Sequence, residues 1–257
     1  MKPETTPAKL KESLARGTIF DYLTVLKAIW HSACDEYNLH LRDPFRETDK
    51  LIPPGPPKKL PPGVKPNIPV WRFDDAMKII AKINPFYRNA ARLMFLTGLS
   101  ASEMAGLRKR DITEDSLLVI NFISRDSDPS EEGKTPYRPR EIPLTEAIRE
   151  CLEEAMSTAQ DEYLFRTATG LHFNCNRFRD NWESAIRRAG LEYMRPYSTR
   201  HTYAAWSLAI GVIPDMLSDQ MGHGSKEMVY EVYGKWKKDL QKDVDKIRQF
   251  MGEDFGK

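Results

Sequence analysis

Near the C-terminus, "MVYEVYGKW" (228–236) sets Tyr230 and Tyr233 three residues apart. A phenol can serve as a nucleophile when its proton is removed. At this spacing the two rings equally read as packed aromatics on one helix face, and the pair alone leaves both readings open. Upstream, Arg200 in "PYSTRHTYAAW" brings a planar, permanent charge that can hold two oxyanion oxygens, where a lysine would not substitute. Its bland reading is a surface arginine in a helix turn. His223 in "QMGHGS" can donate to such an oxygen or simply end a helix beside Gly222. Lys134 is the only lysine between Lys109 and Lys226. An ammonium drawn from that region therefore has one source, unless Lys134 is only a solvated loop charge.

Such residues need a scaffold, and the chain supplies mostly helices. "TIFDYLTVLKAIWHSACDEYN" repeats Ile19, Leu23, Leu26, Ile29 and Trp30 at steps of three and four, which predicts an amphipathic helix capped by Thr18. Residues 1–51 hold that helix and a weaker segment, a thin core expected to be part of a helical domain. Residues 52–69, "IPPGPPKKLPPGVKPNIP", contain eight of the eighteen prolines. Proline lacks the backbone donor and biases its neighbour toward extended backbone, so this stretch is expected to be a semi-rigid linker. Fully extended at about 3.1 Å per residue it would span about 50 Å.

Residues 70–257 form the expected second domain. "FDDAMKIIAKI" and "FYRNAARLMFLTG" predict two helices, the second stopped by Gly98, and "SASEMAGLRKRD" opens another with Ser100 or Ser102 as cap. "SLLVINFIS" and "REIPL" are short β-branched runs, which places a small sheet at 117–144. Helices resume at Thr145 and continue through "NRFRDNWESAIRRAG", "RHTYAAWSLAIG", "IPDMLSDQMG" and "SKEMVYEVYG". The expected class is mainly α with a small antiparallel β-sheet (α+β).

Composition narrows the function classes. The 257 residues are 40% hydrophobic and 30% charged, enough to build a core, and the net charge of +2 permits a local basic face without demanding a polyanionic partner. The cysteines Cys34, Cys151 and Cys175 show no CxxC or metal spacing, which fits free thiols in a reducing compartment. No apolar run approaches the roughly 20 residues needed to cross a bilayer, and "MKPETTPAKLKESL" has no signal-peptide core. The protein is expected to be cytoplasmic.

The order of the motifs says more than any one of them. "FLTGLSASEMAGL", "GKT…REIPL", "LFRTATGLHFNCNRFRDNWESAIRRAGL", "PYSTRHTYAAW", "QMGHGS" and "VYGKW" follow one another between Trp71 and Trp236. Together they resemble the catalytic domain of the tyrosine recombinases, the phage-integrase family, and the helix before the linker resembles the end of that family's core-binding domain. That domain normally has several more helices, so the chain looks short at its N-terminus.

The resemblance implies site-specific DNA recombination or integration by strand cleavage and rejoining through a 3′-phosphotyrosine, with no cofactor and no metal. Tyr233 matches the nucleophile, Arg200 the second active-site arginine, His223 the position held by His or Trp, and Lys134 the hairpin lysine that protonates the leaving 5′ oxygen. Tyr230 is then a packing residue. Two positions depart from the pattern. Tyr197 stands where many members have histidine, three residues before the second arginine; a phenol with a pKa near 10 is a poorer base than an imidazole. His201, next to Arg200, occupies a position that is usually structural. Ser100 stands where the pattern puts its first arginine, with Glu103 at the expected acidic position. Serine keeps a helix cap but removes a fixed charge, and losing one preorganised donor typically costs on the order of 10²–10³ in rate. Arg108 and Arg110 lie too far along for a simple replacement.

The implied partner is double-stranded DNA, held by a homo-oligomer (a tetramer) in a clamp of helical module and catalytic domain, with Lys58, Lys59 and Lys65 on the linker placed to touch backbone phosphate. No membrane is implied. The tail stripe Leu240, Val244, Ile247 and Met251 is expected to pack on its own domain or on a neighbouring protomer. The alternatives to an active recombinase are a non-catalytic DNA-binding remnant of the family and a type IB topoisomerase-like activity.

Overall fold

The computed structural model describes residues 16–48, 68–123, 139–159, 161–166, 173–222, 229 and 232–256. The chain divides into two compact units, Met1–Val64 and Lys65–Lys257. Lys58, Lys59, Lys65, Lys134, His223 and Tyr230 lie outside the described residues.

The first unit is built on one long helix, α1 (Arg16–Glu36). Arg16 and Gly17 are already helical, so Thr18 sits inside the first turn and does not cap it, contrary to expectation. The chain leaves α1 through Asn38 at φ 50°, and Trp30 meets Phe45 edge-on at 6.5 Å. One helix cannot bury both its apolar sides, and Tyr22, Val25, Leu26 and Ile29 stay exposed.

In the second unit α2 (Phe73–Lys82) and α3 (Pro85–Thr97) come first. Asn84 caps α3, with Pro85 where a missing N–H costs nothing. Gly98 ends it at φ 66°, and a Cβ there would lie 2.5 Å from the Tyr203 ring. A short α4 (Ala101–Gly106) leads to β1 (Ser116–Val119), which pairs antiparallel with β2 (Arg140–Pro143). The register sets Val119 opposite Arg140, which starts β2. Helices α5 (Glu146–Thr158), α6 (Cys175–Ala189), α7 (Ser198–Ile210) and α8 (Pro214–Met221) follow. The tail carries α9 (Trp236–Asp239) and α10 (Val244–Met251). The architecture is the mainly helical one expected, with its small antiparallel sheet.

Eleven of the thirteen residues of α7 are buried, so this helix runs through the core instead of lying on it. Its hydroxyls are satisfied locally: Thr202 donates to the Ser198 carbonyl and Ser207 to the Tyr203 carbonyl. Aromatic packing surrounds it. Phe95 of α3 stacks on Trp206 at 5.6 Å and meets Trp182 of α6 at 6.0 Å. Trp71 ties the entering chain to α7: its backbone N–H and indole N–H donate to Thr202 and Ser198, and its carbonyl accepts from the Trp206 indole. The tail packs on its own unit, with Leu240, Ile247 and Met251 fully buried and Phe250 against Trp206.

Candidate active site

Arg200 lies in the first turn of α7, where the anchored N-terminus of a buried helix limits its movement. Its Nη1 donates to the Gly98 carbonyl at 2.9 Å, and its Nη2 donates to the Met221 carbonyl. Those carbonyls close α3 and α8, and helix C-termini carry the partial negative charge that a cation favours. Glu103 stands 3.8 Å from Nη1. Burial pulls Arg200 below its ordinary value and the Glu103 carboxylate pulls it back, and a guanidinium begins high enough to stay charged. Its Nε has no hydrogen-bond partner among the described residues.

Glu103 is the hub of the site. Oε1 accepts from Arg140 Nη1 at 2.8 Å, and Oε2 accepts from the Ser100 backbone N–H at 2.8 Å and the Ser100 hydroxyl at 2.9 Å. Burial would raise this carboxyl, but the Arg140 charge and hydrogen bond, the Arg200 charge and the Ser100 N–H together hold it at about 2. Ser100 is thus the N-cap of α4, closing a capping box with Glu103. Arg140 also donates from Nε to the Gln220 carbonyl at 2.7 Å, in the last turn of α8. Its pairing with Glu103 spans 37 residues and depends on the start of β2 lying beside the first turn of α4. Nothing in the spacing of "REIPL" marked this; the only signal was a charged residue opening an apolar strand.

Tyr233, in the helical turn at 232–233, is buried. Its hydroxyl lies 2.7 Å from Nδ1 of His201, the residue after Arg200. Burial and the Arg200 charge both lower the His201 imidazole, which favours its neutral form, and a neutral imidazole can take the phenolic hydrogen bond at Nδ1 when its proton sits on Nε2. Burial pushes the Tyr233 phenol up to about 12, Tyr197 adding to this and Arg200 opposing it. Tyr197, at the N-cap of α7, is 49% exposed and meets the His201 ring edge-on at 5.1 Å; it makes no hydrogen bond to Tyr233. Of the residues singled out from the sequence, Tyr233, Arg200, Tyr197 and Ser100 belong to this one cluster. Arg108 and Arg110 are elsewhere, both paired with Glu162 and Arg108 also over the Tyr163 ring. Sequence reasoning missed Arg140 and left His201 as structural.

The chain that carries this cluster is matched by a known family. The Phage integrase family model covers residues 70–239, and the chain belongs to that family, the tyrosine recombinases. IntQ of Escherichia coli (strain K12), a protein whose name calls it defective, is 49% identical over 67 residues, 26% of this chain and 17% of its own. The tyrosine recombinase XerC-like protein of Caldanaerobacter subterraneus is 23% identical over 237 residues, covering 81% of this chain and 59% of that protein. The chain therefore spans less than two thirds of the length of these relatives. The Tn1549 transposon integrase, solved in complex with a circular intermediate DNA, superposes with a TM-score of 0.63 at 18% identity, over 86% of this chain and 76% of that one. At that identity the likeness shows the fold alone.

Proposed function

We propose that this protein cuts and rejoins double-stranded DNA at specific sites through Tyr233. The phenolic oxygen attacks a backbone phosphorus, the bond to the 5′ oxygen breaks, and a 3′-phosphotyrosine holds the strand until a 5′ hydroxyl attacks and releases the tyrosine. The observation that carries this reading is the Tyr233 hydroxyl hydrogen-bonded at 2.7 Å to the residue beside the buried Arg200. A nucleophile is thereby kept within reach of a fixed guanidinium whose Nε has no partner among the described residues. An arriving phosphate oxygen would satisfy that donor, and a donor fixed beforehand stabilises developing charge without reorganising. Lys134 and His223 keep the roles the family resemblance gives them, acid to the 5′ oxygen and donor to a phosphate oxygen. Lys58, Lys59 and Lys65 would contact backbone phosphate, and a tetramer on DNA is the assembly that fits, by analogy with the lambda integrase solved as a tetramer on a Holliday junction.

The test is a covalent-complex assay on nicked duplex DNA with many candidate sites, comparing the unchanged protein, Ser100→Arg and Tyr233→Phe on denaturing gels. A shifted band lost only with Tyr233→Phe supports the proposal. A band seen only with Ser100→Arg means that the missing charge at position 100 blocks the chemistry. The second reading, a DNA-binding protein without turnover, is favoured by Ser100, whose hydroxyl bonds to Glu103 and brings no charge. DNA binding with no band from either version would establish that reading instead.

A further inference from the structure

The geometry points to His201 as the catalytic base of this site, the group that takes the Tyr233 proton during attack, in place of the residue at position 197. This rests on the strand-cleavage reading above. Three observations carry it. The Nδ1 atom of His201 lies 2.7 Å from the Tyr233 oxygen, within direct proton-transfer distance. The two rings are held at 5.8 Å between centroids with a 38° tilt, so the contact is supported by packing. Tyr197 is half exposed, meets the His201 ring in an edge-to-face contact and makes no hydrogen bond to Tyr233, and a phenol that keeps its own proton has no basic nitrogen to take another.

The proton moves from the Tyr233 oxygen to Nδ1 while that oxygen bonds to phosphorus and the phosphorus–O5′ bond breaks. The electron pair leaves on O5′, which takes a proton from an acid on the far side, Lys134 by resemblance. In rejoining, the 5′ hydroxyl attacks and gives its proton back to the amine that protonated O5′, the phosphorus–phenol bond breaks, and the imidazolium returns its proton to the departing phenolic oxygen. The groups facing His201 among the described residues are Arg200, Tyr197 and Tyr233. Arg200 and burial disfavour the imidazolium in the free protein. A phosphodiester anion held by Arg200 offsets that charge and raises the proton affinity of the imidazole, so the base gains strength when substrate is bound. A base of this kind contributes typically 10²–10⁴ in rate.

The experiment measures covalent-product formation by the full chain with His201→Asn and His201→Ala. It uses an ordinary phosphodiester and a substrate with sulfur in place of the bridging 5′ oxygen, whose thiolate leaves without an acid. The expected result is a loss of at least about 100-fold with both variants. The sulfur substrate should not repair that loss, although it should repair a Lys134→Ala loss. Added imidazole should restore part of the His201→Ala rate. Normal cleavage by His201→Asn overturns the His201 assignment and leaves strand cleavage standing. So does repair by the sulfur substrate, or a loss in both variants that imidazole does not touch. If only Ser100→Arg cleaves, the same comparison is made in that background and decides in the same way. No product from the unchanged protein or from Ser100→Arg overturns both readings.

Discussion

Glu103→Gln is the substitution whose cost follows most directly from the structure. The carboxylate is buried between two guanidiniums and held at about 2, against 4.5 for an ordinary glutamate. At about 1.4 kcal/mol for each tenfold change in proton affinity, that difference corresponds to about 3 kcal/mol of stability at neutral pH. Glutamine keeps the shape and an acceptor oxygen but leaves Arg140 and Arg200 buried with like charges, and breaking a buried pair in this way costs about 3–5 kcal/mol. The pH dependence has a definite sign. The folded state binds the Glu103 proton more weakly than the unfolded chain, so the contribution is complete above about 4.5 and is lost as pH falls toward 2. Urea unfolding of both proteins at pH 7 should show a gap of about 3 kcal/mol. At pH 3 the gap should narrow to about 1.4 kcal/mol, because between 4.5 and 2 the stabilisation falls by up to about 1.4 kcal/mol per pH unit. A gap under about 1 kcal/mol at pH 7, or one that is the same at both pH values, would refute the reasoning.

Arg140→Met should also destabilise by about 3–5 kcal/mol, and the double variant with Glu103→Gln should lose clearly less than the sum of the two, as a urea double-mutant cycle would show. Gly98→Ala should lose more than about 1–2 kcal/mol in the same assay, because it adds a left-handed penalty to a Cβ placed 2.5 Å from Tyr203. A thiol-specific reagent at pH 8 should modify Cys34 and Cys175, which are partly exposed, and spare Cys151 until the protein unfolds. Burial pushes the Cys151 thiol up to about 12, and it lies 2.6 Å from Asn89 Oδ1. Three fast-reacting thiols would contradict this.

Local signals in the sequence specify the elements. Apolar spacing, Thr145 as a cap, Gly98 as a stop and the β-branched runs around 117–144 are local signals, decided by backbone preference and periodicity, and each has its counterpart in the fold. Thr18 failed for the same kind of reason: helix starts are weakly marked, and two helical residues upstream were enough to move one. The order of motifs was also legible, and with it the family. Tertiary structure alone decided what Glu103 and Tyr233 bond to. The Arg140–Glu103 pair joins a strand to a helix 37 residues away, and His201 meets Tyr233 across 32 residues. Such contacts follow from how α4, β2 and α7 and the turn at 232–233 converge, because a side chain's partner depends on the closure of the whole core and not on its neighbours in sequence. At position 100 the family resemblance could say only that a serine stands where an arginine is expected; the structure shows the serine capping a helix beside a carboxylate shared by two arginines from elsewhere in the chain.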